Sequence, residues 1–382
     1  MRLFTAPLRH QLSQAVPDRP FEIRFWDGSA LPATKQRAAT FELRSPRAVA
    51  QVLRAPGRLG LGRAYVEGSL DTDDLDGAFA VVDAWTPPPL GRAVRLRLLG
   101  AAVLGAAASP FARRPALELV LRGERHSCER DAAAVRYHYD AGNEFFALFL
   151  DSSMTYSCAL FSQGARTLEE AQEAKLRLVA AKLVLEPGER LLDVGCGWGS
   201  FAIHAARERV SEAGLRELVE IRVADYRDLR EPPFDAIASI GMVEHVGERR
   251  IDDYARRLAM LLRPGGRLLN HGIAALRADD DAAGDTFTNR YVFPDGEPLY
   301  LSRIQLALER AGLVSEHVEG FAEDYATTLA HWAQRFDRRL DDARRLAGSE
   351  RTRVWRLYLR AARIGFETGH TTVYQVLARR PS

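Results

Sequence analysis

The chain contains 382 residues, of which 47% are hydrophobic and 27% are charged, and its formal net charge is +2. This length allows one large core and a smaller second domain, since domains usually contain about 100–200 residues. The small net charge argues against a strongly basic nucleic-acid-binding protein, and no basic, aromatic-rich recognition module indicates one.

Cysteine usage indicates a reducing compartment, and the hydropathy pattern predicts no membrane-spanning helix. The three cysteines form neither a disulfide framework nor a CxxC metal pair, and no metal site is predicted. No apolar run approaches the roughly 20 residues that span a bilayer. The first ten residues lack the apolar centre of a signal peptide. We therefore expect a cytoplasmic protein.

Residues 1–86 carry short strand and helix signals. Residues 21–26 alternate apolar and polar side chains and lead into Asp27 and Gly28, which is a hairpin signal. A second strand is predicted over 39–43 and a helix over 46–54. These elements predict a small α+β domain without a catalytic cluster.

Residues 87–130 have a different composition and are predicted to be a linker. The prolines at 87–89 interrupt regular structure. Arg92, Arg95 and Arg97 precede the apolar run 98–108, which is too short to span a membrane. Such a segment can lie on an anionic lipid surface. A packed helix with a solvated basic end explains the same pattern, and both interpretations stay open.

Residues 190–199, with the sequence RLLDVGCGWG, are the strongest local signal in the chain. A short apolar strand over 191–194 ends in glycines at 195, 197 and 199, and a helical pattern starts at Ser200. Alternate glycines allow a sharp turn and close approach of a ligand to main-chain N–H groups. This is the nucleotide-binding corner of an α/β sheet. The GxGxG spacing after Asp193 resembles motif I of S-adenosylmethionine (SAM) methyltransferases.

The remainder of 131–382 alternates helix and strand signals. Strands are predicted over 219–223, 234–240 and 267–271, and a helix over 251–262 that stops at Pro264. This alternation predicts a doubly wound, Rossmann-like α/β sheet. Ligands then lie over the carboxyl ends of the strands, where the sequence places Gly195, Glu244 and His271.

Longer motifs surround the glycine turn. HYDAGNEFF (138–146), MTYSCALF (154–161) and TLEEAQEAK (167–175) precede it; GMVEHVG (241–247), NHGI (270–273), YVFPDGE (291–297) and GFAEDYATTLAHW (320–332) follow. Thr167 and Glu170 also have the spacing of a helical capping box. In this order, the motifs resemble the cyclopropane-fatty-acyl-phospholipid synthase family of SAM-dependent enzymes.

The resemblance implies a reaction and a set of site residues. In the family, the methyl of SAM adds to a cis double bond of an unsaturated phospholipid acyl chain, and a bound bicarbonate ion removes a proton as the cyclopropane ring closes. The implied bicarbonate cage is Cys158, Glu244, His271, the main chain of Ile273, and Tyr325. The implied SAM contacts are Tyr139, Tyr156, Ser157, Thr167, Gln172, Gly195, Gly197, Asp225 and Tyr226. The resemblance also implies peripheral association with the inner face of the membrane and a homodimer.

The sequence departs from the family pattern directly after the glycine turn. A continuous helix is predicted over 200–218, and the predicted strand 219–223 follows it directly. Compared with the family pattern, about twenty residues of a βαβ unit are therefore missing. Either strand 219–223 docks beside the first strand, or the sheet keeps a gap there. The family's acidic ribose clamp is lost, and Glu220 and Asp225 are the remaining candidates. Losing such a pair costs about 1.5–3 kcal/mol, so weakened SAM binding is expected.

Other functions remain open at this point. A lipid-binding pseudoenzyme with impaired SAM binding fits the missing segment. A SAM methyltransferase that makes a methyl- or methylene-branched fatty acid, or that acts on another small molecule, fits the retained motifs. Asp193 is interpreted as a structural anchor of the glycine turn more than as a ligand contact.

Overall fold

We describe the protein from a computed structural model, which describes residues 5–86, 88–89, 91–104, 114–119, 121–209, 219–231, 233–277 and 286–382. The chain divides into two compact units. The first comprises Met1–Val120, Ala283–Pro294 and Ala343–Ala361; the second comprises Leu121–Ala282, Asp295–Asp342 and Ala362–Ser382. The predicted boundaries at 86 and 130 stay predictions, and two segments from the predicted domain 131–382 belong to the first unit.

The helices and strands of the described residues have the following bounds. The helices are α1 (Ala6–Ala15), α2 (Arg47–Arg54), α3 (Arg58–Val66), α4 (Leu75–Ala84), α5 (Arg92–Leu104), α6 (Cys128–Tyr139), α7 (Asn143–Phe146), α8 (Leu168–Leu183), α9 (Ser200–Arg209), α10 (Ile251–Leu261), α11 (Phe287–Tyr291), α12 (Leu301–Arg310), α13 (Ala322–Arg338) and α14 (Leu340–Glu367). The strands are β1 (Phe21–Phe25), β2 (Ala30–Leu31), β3 (Ala39–Leu43), β4 (Leu70–Thr72), β5 (Leu191–Val194), β6 (Phe234–Ile240), β7 (Leu262–Ala275), β8 (Leu299–Tyr300), β9 (Val314–Gly320) and β10 (Thr371–Arg379).

The first unit is built on a sheet in the order β2-β1-β3-β4. Strand β1 pairs antiparallel with β2 through the predicted hairpin and parallel with β3. Phe21, Ile23 and Phe25 alternate along β1 and are buried, because one face of the sheet packs on the core. Leu98 and Ala101 of α5 join the same core. The predicted hairpin, second strand and helix α2 are confirmed.

A buried ion pair links distant segments of the first unit. The guanidinium of Arg63 donates to both carboxylate oxygens of Glu118, at 2.7 and 2.6 Å. The hydroxyl of Tyr291 donates to the same carboxylate at 3.3 Å. Buried charges need such partners, because an isolated charge in the interior is costly. This network ties residues 287–291 into the first unit.

The second unit contains a six-stranded sheet in the order β5-β6-β7-β10-β9, with β8 beside β7. Strands β5, β6 and β7 run parallel, whereas β10 is antiparallel to β7 and β9. Ala236 and Ala238 face α8 and α9, while Ile237 faces α10 and α12. Helices therefore cover both faces, and the predicted doubly wound α/β fold is confirmed.

A hydroxyl from α10 links the two central parallel strands. Tyr254 is 1% exposed, and its hydroxyl lies 2.7 Å from the Ser239 hydroxyl of β6 and 2.8 Å from the Asn270 Oδ1 of β7. It can donate to Asn270 and accept from Ser239. Buried polar groups of strands need such partners. The contact holds the carboxyl halves of β6 and β7 against α10. Both strands lead from this point into the residues predicted to form the site.

The predicted strand 219–223 is wrong. Residues 219–225 form no strand, and Ile221 is 56% exposed while Val223 is fully exposed. Arg222 pairs with Glu220 and Glu231 in solvent, so this segment has few apolar contacts to hold it in a sheet. Docking of these residues beside β5 is therefore also wrong, and β5 is an edge strand within the described part of the sheet.

Strand β7 differs from its predicted bounds, whereas the predicted helix 200–218 is described only in part. Helix α9 is described to Arg209, and residues 210–218 of the predicted helix lie outside the described residues. Strand β7 begins directly after α10 at Leu262 and extends to Ala275, beyond the predicted 267–271. It is longer because β10 pairs with it continuously from Arg267 to Ala275. Among the described residues, no helix has the length and apolar content needed to cross a bilayer.

Candidate functional site

The glycine turn follows the edge strand β5 and leads into α9. Gly195, Gly197 and Gly199 all have positive φ, at 73°, 55° and 80°. This conformation is the reason for glycine here, because side-chain-bearing residues rarely adopt it. A Cβ added to Gly197 meets no atom within 4 Å, so open space adjoins the main chain there. The turn therefore fits a ligand lying against its backbone, as SAM binding requires.

Asp193, near the end of β5, anchors the glycine turn. Its carboxyl group accepts a hydrogen bond from the main-chain N–H of Ala202, in the first turn of α9. A carboxylate at a helix N-terminus is favourable because the unpaired N–H groups there carry partial positive charge. Burial raises the pKa of Asp193 to about 7, while the nearby Lys175 ammonium acts in the opposite direction. The structure supports the anchoring interpretation.

Aromatic rings adjoin the turn. Tyr139 contacts Trp198 edge to face, with ring centroids 5.5 Å apart, and the Trp198 Nε1 donates to Asn143 at 3.1 Å. Burial of its phenol, and then the nearby Glu244 carboxylate, raise the pKa of Tyr139 to about 12, although 39% of the residue is exposed. Tyr139 thus lies close to both the glycine turn and Glu244.

Helix α8 supports the segment that contains Tyr156 and Ser157. The side-chain amide of Gln172 donates to the carbonyl of Ser157 at 2.9 Å, and Lys175 Nζ donates to the Ser157 hydroxyl at 2.9 Å. Tyr156 stacks on His138 with centroids 5.6 Å apart. The hydroxyl of Thr167 accepts from the Glu170 N–H in the predicted capping box, so Thr167 has a structural use at the helix start.

The two acidic candidates for the SAM ribose are already paired with arginines. Asp225 accepts from Arg227 through both carboxylate oxygens, at 2.8 and 2.6 Å, and these bonds lower its pKa. Glu220 pairs with Arg222 at 2.5 and 2.7 Å. Next to Asp225, the Tyr226 ring packs edge to face on Tyr254. Tyr226 therefore packs against α10, and the charge of Asp225 is already compensated by Arg227.

Glu244 lies in a short 3-10 turn after β6, and its carboxyl group is withdrawn from water. The main-chain N–H of Ile273 in β7 donates to this carboxyl group. Burial raises its pKa to about 7, and its Oε2 is buried without a hydrogen-bond partner among the described residues. A Cβ on Gly272 would lie 2.2 Å from Val243 Cγ1 and 3.0 Å from Glu244 Oε2, so only glycine fits there. Sequence reasoning missed this requirement at Gly272.

His271 lies in β7 on the sheet face covered by α8. It is 2% exposed, and neither ring nitrogen has a hydrogen-bond partner among the described residues. Burial, and then the nearby Lys175 and Lys182, lower its pKa to about 3. The imidazole is therefore neutral, with one nitrogen able to donate and the other to accept. Ile273 lies two residues further on the same face.

Cys158 and Tyr325 approach the same place through Phe321. The Cys158 Sγ lies 3.7 Å from the Phe321 carbonyl, and burial raises the pKa of this thiol well above its usual value. The ring of Phe321 stacks on His271, with centroids 6.4 Å apart. The Tyr325 N–H donates to the Phe321 carbonyl, and its ring packs on Phe366 and Trp332. Phe321 thus adjoins Cys158, His271 and the main chain of Tyr325, while Glu244 is joined to β7 through the Ile273 N–H.

The arrangement fits a small polar ligand. Buried polar groups without partners are rare in folded proteins, and here the Glu244 carboxyl and the His271 ring are both such groups. A protonated Glu244 can donate and the imidazole can donate or accept, which suits an oxyanion such as bicarbonate. Within the described part of the chain, no cluster of three or more His, Cys, Asp or Glu side chains could hold a metal ion.

Sequence reasoning missed Lys175, which is 2% exposed within this site. A compositional signal was present. The chain has 53 basic residues, of which only Lys35, Lys175 and Lys182 are lysines. Two of these three lie seven residues apart on α8, a spacing that places them on one helix face.

Comparisons with known proteins identify the family of this chain. The profile of a family described as mycolic acid cyclopropane synthetase matches residues 126–376. A probable fatty acid methyltransferase of Mycobacterium tuberculosis is 37% identical, over 100% of this chain and 93% of that protein. The cyclopropane-fatty-acyl-phospholipid synthase of Escherichia coli K12 is 32% identical, over 90% of this chain and 88% of that protein. The crystal structure of mycolic acid cyclopropane synthase CmaA1 with SAH and CTAB matches with a TM-score of 0.59 and 30% identity, covering 65% of this chain and 98% of that one.

The raised pKa of Glu244 predicts a pH-dependent stability. As the pH rises from 4.5 to about 7, the unfolded chain releases this proton while the folded protein retains it. Stability is therefore full below pH 4.5 and is lost as the pH rises through about 7. Glu244→Gln removes this loss, so the stability difference should shift toward the variant by on the order of 3 kcal/mol over this interval.

Urea unfolding of both proteins at several pH values measures this difference. The exposed Glu129 on α6 supplies the matched control. Glu129→Gln should follow the pH dependence of the wild type. A Glu244→Gln curve that runs parallel to the wild type at every pH would contradict the buried, proton-retaining carboxyl group.

Proposed function

The chain belongs to the mycolic acid cyclopropane synthetase family of SAM-dependent methyltransferases that modify lipid acyl chains, and we propose that it acts on unsaturated phospholipids. In the proposed reaction, the SAM methyl is transferred to a cis double bond and a cyclopropane ring forms. The observation that carries the proposal is the buried, partnerless pair of Glu244 Oε2 and the His271 ring at the carboxyl end of the sheet.

Bicarbonate is the proposed base, and when bound it supplies the acceptor for the proton that leaves before ring closure. The residues that would hold it are Cys158, Glu244, His271, the main chain of Ile273, and Tyr325. The neutral His271 and the Tyr325 hydroxyl can donate to an anion. Glu244 can accept the ion's own proton when it is ionised. Because the N–H of Ile273 already donates to Glu244, this residue also acts by orienting that carboxyl group.

SAM supplies an electrophilic methyl group when bound. The proposed contacts are Tyr139, Tyr156, Ser157, Thr167, Gln172, Gly195, Gly197, Asp225 and Tyr226. Of these, Gln172 orients the 155–157 segment and Gly197 leaves its backbone open. An alkene is a poor nucleophile, so the chain must orient it and stabilise developing positive charge.

Two alternatives have an observation in their favour. The relative from M. tuberculosis is named a probable fatty acid methyltransferase, which favours a methyl- or methylene-branched product. The pairing of Glu220 and Asp225 with arginines favours a lipid-binding protein with impaired SAM binding. The nature of the product and the SAM affinity separate these alternatives.

The first prediction from this proposed function concerns product formation. With SAM, bicarbonate and vesicles of unsaturated phospholipid, each modified double bond should gain one CH₂ with loss of the alkene, measured by mass and NMR analysis of the acyl chains. Glu244→Gln and His271→Ala should reduce turnover by at least about a hundredfold, since each removes a group from the proposed base site. Both variants should keep the wild-type circular dichroism spectrum.

Glu248→Gln, at an exposed residue four positions after Glu244, is the control and should keep wild-type turnover. Unchanged turnover in either site variant would contradict the base site. A CH₂ gain without a ring would support the branched-product alternative.

The second prediction concerns SAM affinity. The missing segment and the paired state of Asp225 should weaken SAM binding by roughly ten- to a hundredfold from micromolar affinity. Calorimetric titration measures this directly. A micromolar dissociation constant for the wild type would show that the missing segment is not needed for cofactor binding.

The lipid substrate also leads us to propose peripheral attachment to the inner face of the cytoplasmic membrane, by a homodimer. The supporting observation is that Arg92, Arg95 and Arg97 of α5 are exposed beside Leu96, which is 69% exposed. The opposite side of α5 packs into the core of the first unit through Leu98 and Ala101. This combination matches a helix that is packed on one side and presents a basic, partly apolar side to lipid.

Charge reversal tests the lipid contact. Replacing all three arginines with glutamate should weaken binding to anionic vesicles at least about tenfold, because each basic residue near such a surface contributes about 1 kcal/mol. Vesicle co-sedimentation at low salt is the measurement. The same change at the exposed Arg249, Arg277 and Arg338 gives equal net charge and should weaken binding less. Equal loss in both triple variants would assign the effect to net charge.

A further inference from the structure

Lysine is rare in this chain, and one lysine lies inside the proposed site. Lys35, Lys175 and Lys182 are the only lysines among the 53 lysine and arginine residues, so arginine occupies all the remaining positions. The two side chains are not equivalent, because an ammonium is a compact point charge and a guanidinium is a larger planar group. A lysine in a closed, 2% exposed position therefore indicates a need for the smaller cation.

The ammonium of Lys175 lies between two parts of the proposed site. On one side, Nζ donates to the Ser157 hydroxyl at 2.9 Å. On the other side, its charge interacts with the carboxyl group of Asp193, and also with Asp151. Ser157 adjoins Cys158, while Asp193 directly precedes the glycine turn. Lys175 is thus the group through which these two parts of the site are electrostatically connected.

The charge of Lys175 also acts on Asp193, close to the glycine turn. The Asp193 carboxyl group accepts from the Ala202 N–H and so holds the start of α9 against the end of β5. That bond is stronger when the carboxyl group is ionised. Burial opposes ionisation of Asp193, whereas the Lys175 charge favours it. Removing the ammonium should leave Asp193 protonated and its hold on the turn weaker.

We propose that Lys175 is a positioning residue for SAM binding: its buried ammonium holds Ser157 by a hydrogen bond and supplies the nearby positive charge for Asp193, which precedes the glycine turn. The inference rests on the proposed function, because it assumes that SAM binds at this turn. In this proposal Lys175 acts on SAM binding through Ser157 and Asp193 and not by direct contact with the cofactor. A buried charge is costly to the fold unless it is compensated, and the nearby carboxyl groups of Asp151 and Asp193 favour the charged form of Lys175.

Calorimetric SAM titration of single and double variants tests the proposal. Lys175→Met keeps the side-chain length without the charge and should weaken SAM binding roughly tenfold. Asp193→Asn should weaken it by a similar factor. In the Lys175→Met/Asp193→Asn double variant, SAM affinity should fall by less than about threefold below that of either single variant. The two effects should be non-additive because both remove the same electrostatic interaction. Ser157→Ala should weaken binding less than Lys175→Met.

The matched control is Lys182→Met. Lys182 lies on the same face of α8, but its Nζ bonds to Glu319 and Gln375 at 2.5 and 2.6 Å. Its replacement should leave SAM affinity within about twofold of the wild type, a change below 0.5 kcal/mol. A general loss of helix packing would instead affect both lysine variants. Circular dichroism confirms that each variant is folded at the titration temperature.

The outcomes separate this inference from the proposed function. If the wild type binds SAM and Lys175→Met binds it equally well, the positioning role is wrong while the proposed function stands. Additive losses in the double variant also overturn the link through Asp193. If the wild type does not bind SAM, the proposed function fails and the inference fails with it. If Lys175→Met does not fold, unchanged affinity in both Asp193→Asn and Ser157→Ala overturns the proposal.

Discussion

The pairing of β7 on both of its edges is the constraint on which the second unit depends. Strand β6 pairs with it in parallel, and β10 pairs with it antiparallel over nine residue pairs from Arg267 to Ala275. Because side chains alternate along a strand, this double pairing places His271 and Ile273 on one face and Asn270 on the other. Asn270 binds Tyr254 of α10, whereas His271 faces α8. This register therefore sets the positions of the site residues on β7.

Burial of ionisable groups is the second feature of the site. Desolvation raises the pKa of Glu244 and Asp193 to about 7 each and lowers that of Lys175 to about 8 and that of His271 to about 3. Near neutral pH this leaves an uncharged imidazole, two carboxyl groups close to half ionisation and a largely charged lysine. Such a set can stabilise a small anion and adjust its protonation, which a base site requires.

The open edge of β5 distinguishes the cofactor side of the site. Asp193 at the end of β5 holds the start of α9 and so supports the glycine turn. Lys175 and Gln172 of α8 hold the separate 155–157 segment. Residues 219–225 add little, since Ile221 reaches Gly199 only with a half-exposed side chain. The turn geometry is therefore secured independently of the segment that the family places after it. SAM binding at this turn depends on contacts of which the described residues supply only a part.

The sequence by itself determined the local features: the three-glycine turn, the capping box at Thr167, strands β5 and β6, helix α10 and the family motifs. These depend on short-range backbone preferences and on periodicity, both of which are readable from neighbouring residues. Only the tertiary structure decided that 219–223 is not a strand, that the Ile273 N–H donates to Glu244, and that Lys175 donates to Ser157. These results depend on desolvation and on contacts between residues far apart in the chain, and no local pattern encodes either.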